Sequence, residues 1–394
     1  MMMGIPLIKD VKDLKGNTVI LRIDLNVPVK DGKVTDPFRI ERSLETIKFL
    51  SANGAKTILI SHLEDDKGTL EPVARYLVAT FPTMVFVKDI FNPDTKRTVS
   101  SMRDGGVVLF ENLRNWPGEK QNDQNFAKHL ASFADIYVND AFSVSHRNHA
   151  SIVLLPKLLP SFIGFEFEKE IKELSLAFYP EHPFTLIIGG AKFDTKLPLI
   201  KKFFNIADKI FIGGAIANSF FKHQGLFVGD SVAFESPEME NFDEAVKSGK
   251  IVLPIDLRVQ SKGFINVKKL TQVSVGEKIW DIGPETEKEL KKIIEDSKFI
   301  VWNGPMGYFE EGAVLGNDAC AKAIGESKAT SIVGGGDTIA SIQKLGIMNK
   351  IYFVSTGGGA MLDFLANGTL PGIDVIKENI KTEESSSWFR KIFK

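Results

Sequence analysis

The sequence predicts an α/β protein: two doubly wound, Rossmann-like parallel-sheet domains joined by a helix, with a cleft between them. Three observations predict it. The chain has 394 residues, more than one ordinary hydrophobic core holds, so two domains are expected. Short runs rich in β-branched residues recur along its whole length. Stretches of helical spacing separate most of these runs, the alternation that builds parallel sheets covered on both faces.

In chain order, the first half carries TVILRIDL (18–25), KTILIS (56–61), GVVLF (106–110) and DIYVND (135–140). Between the first two, RIERSLETIKFLSANG (39–54) has helical spacing and stops at Asn53-Gly54, a good C-terminal signal. LLPSFIGF (158–165) reads as loop, and EFEKEIKELSLAFY (166–179) as one amphipathic helix stopped by PEHP. That helix is expected to connect the domains, giving a first domain over 1–165, a connector over 166–180 and a second domain over 181–363. The second half carries FTLII (184–188), KIFI (209–212), KIVLPI (250–255), KFIVW (298–302), TSIV (330–333) and KIYFVS (350–355). Residues 364–394 are expected to return toward the first domain and end in an amphipathic tail. There Trp388, Phe389, Ile392 and Phe393 fall on one helical face, bordered by Arg390, Lys391 and Lys394.

Apolar residues make up 43% and charged ones 25%, as in ordinary globular chains, and the formal net charge is −1. That balance gives no overall electrostatic case for nucleic acid. A single cysteine, Cys320, excludes an intramolecular disulfide and a thiolate metal cluster. The N-terminal MMMGIPLIKDVKDL lacks the apolar stretch of a secretory signal, and no run is long enough to span a bilayer. A cytoplasmic monomer acting on small molecules is expected.

Ligands of open α/β sheets bind beyond the carboxyl ends of the strands. In the first half these ends are polar and cationic. Arg22, Asp24 and Asn26 surround the first, and Arg39 opens the next helix. Ser61 and His62 end the second, Arg114 follows the third, and Asn139, Asp140, His146, Arg147 and His149 follow the fourth. Guanidinium forks match phosphate and carboxylate, so a small ligand carrying both is expected. His146 and His149, with no third ligand nearby, do not make a metal site.

In the second half the strand ends are glycine: GGAK (189–192), GGAIA (213–217), WNGPMG (302–307), GGGDT (334–338) and STGGGA (355–360). Glycine lets backbone N–H groups approach phosphate, and a following helix N-terminus favours the anion. Asp337 offers a carboxylate where Mg²⁺ would meet nucleotide phosphates. Lys192 and Lys196 follow the first glycine pair without P-loop spacing, and at i and i+4 both are expected to face one way. An acid-plus-phosphate site opposite a nucleotide site suggests phosphoryl transfer.

These motifs closely resemble the phosphoglycerate kinase family, over about residues 8–373. The match is carried by RIDLNVP (22–28), ENLR (111–114), NDAF…HR.H (139–149), GGAK…K (189–196), DIGP.T (281–286), WNGPMG.FE (302–310), GGGDT, STGGGA and LPG (370–372). The resemblance implies a two-domain hinge enzyme moving phosphate between 1,3-bisphosphoglycerate and ADP, with Mg²⁺ as cofactor and ATP/ADP as substrate. It implies that Asp24, Asn26, Arg39, His62, Arg114 and Arg147 hold phosphoglycerate, and that Arg39 also steadies the transferring group. Lys192 and Lys196 would meet the nucleotide phosphates. Asn303, Pro305, Gly336, Thr338 and Gly357, Gly358 and Gly359 would line the phosphate side, with Gly336 and Gly359 at the transfer site. Glu310 would bond the ribose, Gly213 and Gly214 would line the adenine slot, and Asp337 would carry Mg²⁺.

The sequence departs from the family pattern in four places. Glu64-Asp65-Asp66 stands where Gly-Arg-Pro is usual, removing an arginine from the phosphoglycerate side, and Lys67 is its nearest cationic substitute. Tyr308 replaces a small aliphatic residue of the base pocket, Ala215-Ile216 replaces glycine and methionine, and Phe353 replaces a histidine. The first departure supports an alternative expectation: a nucleotide-binding regulatory protein of the same fold with weakened phosphoglycerate binding.

Overall fold

A computed structural model describes residues 4–65 and 68–383 of the chain. Of these, the residues up to 172 and those from 368 form one compact unit, and residues 173–367 form the other.

The first unit is built on the strand Thr18–Arg22, where Val19, Ile20 and Leu21 are all fully buried. A strand apolar on both faces needs a cover on both. Val19 and Leu21 join a cluster with Ile40, Ile47 and Leu50 of the helix Phe38–Ala52. Ile20 joins a second cluster with Phe126 and Leu130 of the helix Gln124–Ala131. Adjacent residues thus serve opposite layers, as the two-residue period of a strand requires. Six parallel strands line up in the order 85–87, 107–110, 56–60, 18–22, 136–139, 161–163. The last described helix, Pro371–Glu383, belongs to this unit. Asn379 donates to the carbonyls of Pro156 (2.6 Å) and Leu159 (2.8 Å), and Gly372 N–H donates to Ser145 O (2.9 Å).

The second unit repeats the plan in the order 251–252, 209–212, 184–188, 299–303, 330–334, 353–355, all parallel. A three-stranded antiparallel sheet, Phe264–Lys268, Leu257–Ser261 and Lys278–Ile282, is added to it.

Several expectations need correction. LLPSFIGF is not all loop, because Ser161–Ile163 pairs with 137–139 as an edge strand. The connector is α-helical only over Phe165–Ser175 and tightens to a 3-10 turn at Leu176–Phe178. The division between units falls inside it, after residue 172. KIVLPI keeps two paired residues, Ile251–Val252, because Pro254 supplies no N–H for a ladder. KIYFVS shortens to Phe353–Ser355 after a 3-10 turn at Met348–Lys350. The tail face at Trp388, Phe389, Ile392 and Phe393 lies outside the described residues, as do Asp66 and Lys67. Among the described residues no helix is long and apolar enough to cross a membrane.

Candidate active site

In the first sheet the chain order reverses between 18–22 and 136–139, where Arg22 sits opposite Asn139. Such a reversal opens a crevice at the carboxyl ends. The turn beyond it is held by Ser61 Oγ, which accepts from Leu25 N–H and donates to Ile23 O, both at 2.9 Å. This sets Asp24 beneath the crevice. Its carboxylate accepts from Arg39 Nη1 (2.7 Å), Ser143 Oγ (2.5 Å) and Asn26 N–H (3.0 Å). Asp24 therefore fixes Arg39, whose side chain stays 34% exposed and keeps donors for a ligand. Asn26 Oδ1 accepts from Glu64 N–H at 3.0 Å.

Arg22 does not face the ligand. It is fully buried and donates to Ser151 Oγ (3.1 Å), Ile23 O (2.6 Å) and His62 Nδ1 (3.1 Å). A guanidinium has no acceptor, so His62 Nδ1 must accept and its proton sits on Nε2. Burial, then Arg22, Arg114, Arg147 and His149, hold the His62 pKa well below the ordinary 6.5. His62 is thus a neutral donor through Nε2–H. His149 is pushed down to about 4, by burial first and then by Arg22, Arg114 and Arg147. In both shifts the charges of Arg22, Arg114 and Arg147 add to the larger effect of burial. The fully buried Glu119 accepts from Ser151 N–H (2.9 Å) and Ser151 Oγ (2.6 Å) and offsets the Arg22 charge.

Arg114 is largely buried, and its Nη1 donates to the carbonyls of Leu63 (3.2 Å) and Glu64 (3.4 Å). Asn112 Nδ2 holds the carbonyls of Asp65 and Gly68, both at 3.0 Å. The loop that departs from the family pattern is thus anchored through its backbone, with the Glu64 and Asp65 side chains exposed. Arg147 is half-buried.

In the second sheet the order reverses between 184–188 and 299–303. The glycines there permit close backbone approach: a Cβ on Gly189 would lie 2.1 Å from Pro305 O. Gly190 (φ 82°) and Gly304 (φ 96°) adopt left-handed turns, and Gly190 N–H donates to Pro305 O at 2.7 Å. Lys196 is 5% exposed, and its ammonium donates to Asn303 O (3.0 Å) and to Asn303 Oδ1. Burial first, then Lys192, push the Lys196 pKa down to about 7. Lys192 is exposed and stands before the helix Phe193–Phe203 with φ −82° and ψ 76°. Lys192 precedes the helix, so the i, i+4 spacing alone does not align the two lysines, yet the Lys192 charge lies close enough to act on Lys196.

The helices Gly336–Lys344 and Gly359–Asn367 begin at the predicted glycine turns. A Cβ on Gly336 or on Gly358 would meet nothing within 4 Å, so both turns open onto free space. Thr338 is fully buried, and its hydroxyl accepts from Gly304 N–H at 3.1 Å. It braces the neighbouring turn rather than presenting its side chain. Burial, and then the Glu310 carboxylate, raise the Asp337 pKa, while Lys192 lowers it. The half-buried Asp337 carboxylate at a glycine turn fits a divalent cation that takes its other ligands from phosphates and water. Among the described residues no group of three or more His, Cys, Asp or Glu could hold a metal alone.

A sequence model described as phosphoglycerate kinase matches residues 8–368. The chain belongs to the phosphoglycerate kinase family. The phosphoglycerate kinase of Pseudothermotoga lettingae is 42% identical over 394 residues, covering 95% of this chain and 99% of that protein. That of Moorella thermoacetica is 41% identical, covering 93% and 98%. The crystal structure of phosphoglycerate kinase from Pyrococcus horikoshii superposes with TM-score 0.82 at 33% identity, covering 96% of this chain and 100% of that one. The structure from Coxiella burnetii gives 0.79 at 34%, covering 93% and 97%.

A pocket lies at the start of the helix Gly214–His223. It is lined by Gly214, Ala217, Asn218, Leu257, Met306 and Tyr308, among others. Tyr308 carries the Lys278 ammonium 3.7 Å from its ring centroid, and Lys278 pairs with Glu311 at 2.8 Å. A cation held over one ring face fixes that ring. Sequence reasoning missed Ser143, Ser151 and Glu119. The supporting residues of the first unit lie too far along the chain from their partners to leave a local signal.

Proposed function

We infer that this chain is a phosphotransferase with a carboxyl group as acceptor. It moves a phosphoryl group reversibly between 1,3-bisphosphoglycerate and ADP, giving 3-phosphoglycerate and ATP, as in glycolysis and gluconeogenesis. The observation that carries this reading is the opposite chemistry of the two switch points. The first has guanidinium and imidazole donors; the second has lysine and glycine backbone.

The first unit takes phosphoglycerate and the second the nucleotide. Arg39, His62, Arg114 and Arg147 bind phosphate and carboxylate, while Asp24 and Asn26 fix Arg39 and the loop at Glu64. Lys192, Lys196 and the helix starts at Gly336 and Gly359 neutralise charge on the transferring group. Gly357 and Gly358 complete the second turn, Asn303, Pro305 and Thr338 position it, Glu310 takes the ribose, and Gly213 and Gly214 take the base. Asp337 would hold Mg²⁺, which supplies charge neutralisation and orientation of the nucleotide phosphates. No general base is needed, because the attacking carboxylate is ionised near neutral pH. The acyl phosphate hydrolyses if water reaches it, so turnover requires that the bound substrates be shielded. A cytoplasmic monomer handling small molecules and no nucleic acid fits this chemistry.

The test is the initial rate of ATP-dependent phosphorylation of 3-phosphoglycerate, coupled to NADH oxidation, over a wide range of phosphoglycerate. Saturating turnover is expected, and its half-saturation point reports the effect of Glu64 and Asp65. ATP binding without turnover would instead select the regulatory alternative.

A further inference from the structure

We propose that Ser143 is a positioning residue for phosphoryl transfer: its hydroxyl fixes the Asp24 carboxylate and, through it, sets where Arg39 points. The inference rests on the reading of the first unit as the phosphoglycerate half. Arg39 stands in the first turn of the helix Phe38–Ala52, and its Nη1 donates to Asp24 Oδ2 at 2.7 Å. With a third of the arginine side chain open to water, such a pair holds its geometry by only about a few-fold. Arg39 therefore stays in place only if the carboxylate it rests on cannot swing. Asp24 Oδ1 accepts from Asn26 N–H at 3.0 Å, a contact within the same turn that moves with it. The contact from outside the turn is Ser143, 119 residues away, whose Oγ donates to Oδ2 at 2.5 Å. A carboxylate paired with arginine only accepts, so the hydroxyl proton lies toward Asp24.

Ser143 is itself held firmly. It is the middle residue of the 3-10 turn Phe142–Val144, between two buried apolar side chains. The Phe142 ring meets Phe167 edge-on at 5.4 Å, and Val144 packs with Ala141 and Ile152. Beyond the turn, Ser145 Oγ accepts from Asn139 Nδ2 at 3.0 Å and donates to Ala141 O at 2.9 Å. The same turn carries Arg147, whose N–H donates to Val144 O at 3.0 Å. One oxygen, Asp24 Oδ2, thus ties the helix that bears Arg39 to the turn that leads to Arg147. Removing the Ser143 hydroxyl cuts that tie and leaves every side chain given to the ligand chemically unchanged.

The experiment is steady-state kinetics of Ser143→Ala and Ser143→Thr, with 3-phosphoglycerate and ATP varied separately. In Ser143→Ala, kcat/KM for phosphoglycerate is expected to fall about 10-fold, as for loss of one hydrogen bond to a charged group, while KM for ATP stays within about twofold. Ser143→Thr keeps the hydroxyl and is expected to retain most of the wild-type value. In an Asp24→Ala background, adding Ser143→Ala is expected to cost nothing further, because the two residues act through one contact. Unchanged phosphoglycerate kinetics in Ser143→Ala overturn the proposal. So does a threonine variant as impaired as the alanine one, and so do losses that add in full in the double variant. Each of these results leaves the phosphoglycerate reading standing, since that reading depends on wild-type turnover. A wild type that does not turn over phosphoglycerate would instead overturn the reading of the first unit, and the proposal with it.

Discussion

Nucleotide binding should draw a proton onto Lys196. The side chain is 5% exposed, and its ammonium donates to Asn303. Burial and the Lys192 charge bring its pKa down to about 7, so at pH 8 about one tenth of the free protein carries that charge. Bound phosphate favours the charged form and restores a pKa near the ordinary lysine value. Uptake is therefore about 0.9 proton per nucleotide at pH 8 and about half a proton at pH 7. Titration of ADP into the protein at pH 8, in two buffers of different ionisation enthalpy, measures this uptake directly. Equal heats in the two buffers would refute the argument, as would the same uptake in Lys196→Met. The sign for folding follows from the same shift. A lysine whose folded pKa lies below its unfolded value sheds its proton first in the folded state. Its contribution therefore raises stability as pH climbs from about 7 toward 10.5.

Two further perturbations separate architecture from ligand contact. Arg22→Met removes the cation facing the fully buried Glu119, so urea denaturation should show a loss of about 3–5 kcal/mol. In the same variant the pKa of His62 should rise, read by NMR titration, since Arg22 is the second-largest cause of its depression. Gly189→Ala would put a methyl 2.1 Å from Pro305 O and should cost about 1–3 kcal/mol or more, whereas Gly336→Ala meets nothing within 4 Å and should leave stability within ~0.5 kcal/mol. If Gly336→Ala nonetheless loses nucleotide affinity, its glycine serves the ligand; unchanged affinity would remove it from the site.

The parallel sheets were legible because strands such as 18–22 and 184–188 are apolar on both faces, a pattern few other elements share. The strands Val85–Val87 and Ser161–Ile163 were not, since each is only three residues long, too short for a pattern to show. The strand Phe264–Lys268 is exposed at four of its five positions and has no apolar alternation to read. Its turn, Lys262-Gly263 with both φ positive, was the available clue. In the candidate site, the placement of Asp24, Arg39 and His62 at neighbouring strand ends was legible from the motifs. The task of Arg22 was not, because its partner Ser151 lies 129 residues away.

The return of the last described helix to the first unit bears on how the protein is made. Residues 173–367 form one uninterrupted segment, so that unit can fold as soon as it has emerged from the ribosome. The first unit is synthesised earlier but completed later. The carbonyls of Pro156 and Leu159 must wait for Asn379, more than two hundred residues behind them. The half of the molecule that is translated first is therefore the half that is finished last.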